Sequence, residues 1–62
     1  MGQADELEKI RQAEEWLVTE PEGSTFFNAA RDHLHSAANW NRYKAVRAAA
    51  RAAIGRWIGR NE

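Results

Sequence analysis

The sequence predicts an all-α protein, a compact three-helix bundle, and three observations predict it. Apolar residues recur at helical spacing in three stretches, a Pro21-Glu22-Gly23-Ser24 turn divides the first stretch from the second, and no segment carries the alternation of a strand. Helices are expected near 5–19, 25–39 and 41–59, forming a single helical domain over residues 1–62.

The first helix is expected to open at Asp5, with Glu8 three residues on as a capping-box acid and Asp5, Glu6 and Glu8 placed at the positive end of the helix dipole. Leu7, Ile10, Ala13 or Glu14, and Leu17 make its apolar stripe, with Ala4 before and Val18 after, and Trp16 sits at the edge. Pro21 disfavours helical geometry at Glu20, so the helix stops by about Thr19. The short connection sends the second helix back antiparallel.

Ser24 or Thr25 caps that second helix, whose apolar side is Phe26, Phe27, Ala30, Leu34, Ala37 and Ala38. No Gly or Pro lies between Ser24 and Ile54, so an alternative stays open: a helical hairpin with one long second helix that dimerises. Phase favours a break at Asn39-Trp40-Asn41. An unbroken helix would turn Tyr43, Ala50 and Trp57 away from the Phe27 and Leu34 stripe, whereas a break with an Asn cap lets both large stripes meet one core.

Placed at about 100° per residue, the third helix separates into two faces. Tyr43, Val46, Ala50, Ala53, Ile54, Trp57 and Ile58 form the bulky one. Ala45, Ala48, Ala52, Gly55 and Gly59 form the other, a heptad rhythm written in small residues. Lys44, Arg47 and Arg51 flank the small face on one side, and Arg42, Arg56 and Arg60 on the other. The expected core is Leu7, Ile10, Leu17, Phe27, Ala30, Leu34, Val46, Ala50, Ile54 and Trp57.

Charge is polarised although the formal net charge is zero: residues 1–23 hold seven acids against Lys9 and Arg11, and residues 41–62 hold six bases against Glu62. Either the basic end meets a partner, or an acidic helix lies against a basic one inside the bundle. Cysteine is absent, so neither a disulfide nor a thiolate is available. The N-terminal segment has no signal-peptide character and no stretch approaches the length of a membrane span, so a soluble, cytoplasmic protein is expected.

Catalytic constellations are missing from the pattern. His33 and His35 are two apart and diverge on a helix, Glu14 and Glu15 are adjacent and diverge, and Asp32 with His35 or Asn28 gives two ligands where a metal site needs three or four. No enzyme, no cofactor, no metal and no small-molecule substrate is expected. His33 is placed at the border of the apolar stripe near Phe26 or Trp40, and His35 in solvent.

What remains is binding. The expected partner surface is Ala45, Ala48, Ala52, Gly55 and Gly59 with Arg47, Arg51 and Arg56, meeting a protein helix or a second copy of this chain, where acids such as Glu14 or Glu15 would pair with the arginines across the interface. The alternative is a small DNA-binding protein contacting phosphates through Arg42, Lys44, Arg47, Arg51, Arg56 and Arg60. No Asn or Gln on the exposed face of that helix reads bases, so such binding would be backbone-directed.

Overall fold

The computed structural model describes residues 2–61, the last by its backbone alone, so the outermost residues of the 1–62 span, Met1 and Glu62, lie outside the described part. Three helices, α1 (Gln3–Thr19), α2 (Thr25–Trp40) and α3 (Lys44–Asn61), each pack against the other two. A single helix over residues 25–61 would be about 55 Å long at 1.5 Å per residue. The longest dimension of the molecule is 29 Å and its radius of gyration 10.9 Å, so the chain breaks between α2 and α3 and closes into a three-helix bundle.

The helix ends follow local chemistry, with two departures from expectation. α1 begins at Gln3, two residues before the expected cap. Gly2 holds the extended N-cap position without a side-chain bond, Asp5 falls inside the first turn, and Glu8 pairs with Arg11 instead of closing a capping box. α1 ends where the Glu20 N–H donates to the Trp16 carbonyl at 2.9 Å. Gly23 takes φ +86°, a left-handed conformation that side chains resist, and Ser24 then caps α2 by accepting from the Phe27 N–H at 3.3 Å.

The second departure is at α3, which starts at Lys44 and not at residue 41. Asn41 still organises the break, but as a junction. Its N–H closes α2 on the Ala37 carbonyl at 3.2 Å, its Oδ1 accepts from the Tyr43 N–H at 2.9 Å, and its carbonyl accepts from Arg47 Nη1 at 2.7 Å. Its Nδ2 donates to Glu6 Oε1 at 3.1 Å, which ties the turn to α1. All four polar groups of one residue are therefore used, and the rotation between α2 and α3 that the phase argument required is held there.

The buried set is Ile10, Ala13, Leu17, Phe27, Ala30, Leu34, Ala37, Ala38, Val46, Ala50 and Ala53. Of the expected core, Leu7, Ile54 and Trp57 are only partly buried and pack around the edge, with Trp57 set edge-on to Phe27 at 5.9 Å between ring centroids. Alanines contribute six of those buried positions, Ala13, Ala30, Ala37, Ala38, Ala50 and Ala53, which lets the helix axes come close around a thin core of Leu34 and Val46. Three large apolar residues placed in the stripes turn outward instead, Phe26 and Val18 at 55% and 56% exposed and Ile58 at 47%, and Trp40, at the break, is 82% exposed. Each lies next to a stripe, where helical phase alone does not separate the core from its rim.

Candidate functional site

On α3 the buried positions Val46, Ala50 and Ala53 point inward, and the small row points out. Ala45, Ala48, Ala52, Gly55 and Gly59 are all exposed. A Cβ placed on Gly55 or Gly59 would meet nothing within 4 Å, so no neighbour within the chain explains either glycine. The result is a helical ridge carrying nothing larger than a methyl group along about 21 Å, the rise from Ala45 to Gly59 at 1.5 Å per residue step.

The cations beside this ridge divide into two groups. Arg56 belongs to the fold: its Nε and Nη2 donate to Glu14 Oε2 and Oε1 of α1 at 2.6 and 2.7 Å, a two-pronged pair. The hydrogen bonds from Arg56 hold the Glu14 carboxyl below its ordinary range, with Arg60 adding a weaker charge effect, and they raise the Arg56 guanidinium in turn. Glu14 thus meets Arg56 within one molecule, where a contact between copies was expected, and at this pair the acidic helix does lie against the basic one. Arg47 is committed as well, to the Asn41 carbonyl, and Arg42 lies over the Tyr43 ring at 5.5 Å from its centroid. Lys44 and Arg51 are exposed, and no acid among the described residues lies against them.

Sequence reasoning missed a second surface, between α1 and α2 on the side away from α3. Its floor is Ala13, Ala29 and Ala30 and its walls are Trp16 and His33, enclosing a mostly apolar hollow of about 390 Å³. Phe26 stands at one end, its ring 5.1 Å from that of Trp16. Lys9 links this hollow to a second one at the other end, where Trp40 stands beside Asp5, Glu6 and Glu8. His33 Nε2 is buried and has no hydrogen-bond partner. The signal was present in the sequence: Phe26, His33 and Trp40 are seven residues apart, but Phe26 had been grouped with Phe27 in the core stripe.

Among the described residues no three His, Asp or Glu converge on a common point as metal ligands. His35 is exposed and distant in phase from His33. No helix among the described residues is long and apolar enough to cross a membrane. Comparison with known proteins finds no likeness: no family model matches the chain, nor does any curated protein or solved structure.

Proposed function

We propose that this chain is a non-catalytic protein-interaction module that receives a partner helix along the outer ridge of α3, with Ala45, Ala48, Ala52, Gly55 and Gly59 as the contact row. The observation that carries the reading is the pair of glycines. Gly55, inside α3, lowers its stability by about 1 kcal/mol relative to alanine, yet neither glycine makes room for any atom of its own chain. A row without side chains lets a second helix approach more closely than the usual 8–10 Å. Lys44 and Arg51, unclaimed by the fold, then supply the polar border and favour a partner with acids beside its apolar stripe.

A nucleic-acid duplex is the runner-up, favoured by the outward Lys44 and Arg51. It is the weaker reading because two of its six cations, Arg47 and Arg56, are already hydrogen-bonded within the chain, and Glu14 places a carboxylate beside Arg56 that also feels the charge of Arg60. A displayed library of helical peptides selected on the protein tests the first reading. Selected peptides should lose at least tenfold in affinity on Ala52→Leu and keep it on Trp40→Ala; equal binding to wild type and Ala52→Leu rejects the ridge. A labelled duplex titrated at low and high salt tests the second. Phosphate contacts require affinity to fall steeply with salt.

A further inference from the structure

We infer that the α1/α2 groove receives the α3 ridge of a second copy of this chain, so that copies associate head to tail. This deepens the ridge reading by naming its partner, and it rests on that reading.

The two surfaces are complementary in period. The groove edge of α2 carries rings at positions 26, 33 and 40, and the ridge carries small residues at positions 45, 52 and 59, with Ala48 and Gly55 between them. Both rows repeat every seven residues and both run for about 21 Å. Rings from one therefore meet holes in the other along the whole length, as knobs do in holes. The depth matches too. Ala13, Ala29 and Ala30 line the hollow between Trp16 and His33, and a helix with only methyl groups and hydrogens on its ridge is the shape that settles there.

Charge points the same way. The hollow at the Trp40 end is lined by Asp5, Glu6 and Glu8 together with Lys9 and Arg42, an excess of one acid, and the ridge brings Lys44 and Arg51. Opposite signs on the two faces and a net charge of zero remove the long-range repulsion that normally keeps copies of a protein apart. Trp40, 82% exposed, and Phe26, 55% exposed, are of the residue class that anchors interfaces.

Within one molecule the two rows never meet. Each helix packs on the other two, so the groove between α1 and α2 opens on the side opposite the outer face of α3. The contact is therefore heterologous. Each copy that uses its groove still has a free ridge, and association grows into an open chain instead of stopping at a symmetric dimer.

Sedimentation of the full chain with two blocked variants tests this. Ala52→Leu with Gly55→Leu fills the ridge; Ala29→Arg with Trp40→Ala blocks the groove, and all four positions are exposed, so circular dichroism should stay helical in both. Wild type should pass beyond twice its 7.1 kDa mass as concentration rises, and each variant alone should stay at 7.1 kDa. An equimolar mixture of the two should form a dimer and stop, since one supplies a ridge and the other a groove. Trp40→Ala alone should weaken association at least tenfold. Wild type at 7.1 kDa at every concentration, a ridge-filled variant that still self-associates, or a mixture without dimer overturns the inference. If the mixture fails while selected peptides still need Ala52, only the partner assignment falls and the ridge reading stands.

Discussion

The outer face of α3 and the α1 edge of α2 lie equally outside the core, yet one is stripped of side chains and the other crowded with rings. Ala45, Ala52 and Gly59 give way, seven residues apart, to nothing larger than a methyl; Phe26, His33 and Trp40, with the same spacing, present three aromatic rings. Neither texture helps the monomer. Two solvent-facing glycines weaken a helix, and two exposed aromatic residues leave apolar area in water that a lysine or glutamate would not. Inside the bundle the logic differs: there alanines are small because helices press on them, as at Ala50 and Ala53, both fully buried. The same residue type thus serves two ends on α3, and only burial distinguishes them.

The strongest way to break this two-faced description is to enlarge alanines on both sides. Leu34→Ala sets the scale: removing a fully buried leucine costs about 2–5 kcal/mol, on the order of the whole stability of so short a chain, and chemical denaturation should find it largely unfolded. Ala50→Leu, which overfills the inner face, should cost about 1–3 kcal/mol. Ala52→Leu, two residues away, should stay within about 0.5 kcal/mol of wild type in stability while abolishing ridge binding. Equal losses for Ala50→Leu and Ala52→Leu would end the distinction.

Asn41 comes next, because it fixes which face α3 turns outward. Asn41→Ala removes the bonds to Tyr43 and Glu6 at a part-buried turn and should cost about 1–3 kcal/mol in a urea titration. An unchanged midpoint would mean that core packing alone sets the rotation. Smaller again, and opposite in sign, is Gly55→Ala: a gain of about 1 kcal/mol in stability, since the added methyl meets nothing. A loss would reveal a contact that gives the glycine a purpose inside the monomer.

Much of this architecture was legible in the chain itself. Phase decided the break between α2 and α3, because Phe27 and Leu34 could share a core with Val46 and Ala50 only after a turn, and the small row of α3 was placed outward on the same ground. Two kinds of feature were not legible. The register at the break depended on Asn41 using its backbone and side chain together, so α3 began three residues later than a simple cap implied. Residues beside a stripe, such as Phe26, Val18 and Ile58, are assigned to core or rim by the lateral offset of the neighbouring helix, which no single-helix pattern contains. For that reason the ridge was found in advance and the groove was not. Arg56 shows the same limit for charge: its heptad position suggested a border residue, and the proximity of Glu14 on another helix made it part of the fold.

Arg51 and Arg56, five residues apart on α3, carry the smallest effect and the sharpest contrast. The bonds from Arg56 depress the Glu14 carboxyl, so the folded state holds this group ionised more readily than the unfolded chain does. The stability that results is fully present above the unfolded value, about pH 4.3, and is lost as pH falls through the lower folded value. Urea midpoints measured from neutral pH down to pH 3 should therefore decline less steeply below that point in Glu14→Gln and Arg56→Gln than in wild type, and added salt should narrow the difference because Arg56 is exposed. Arg51→Gln should leave the acid limb as it is and weaken only the ridge's affinity for its partner. If Arg51→Gln reshapes the acid limb while Arg56→Gln does not, the division of the arginines between fold and surface is reversed, and the ridge loses one of its two unclaimed cations.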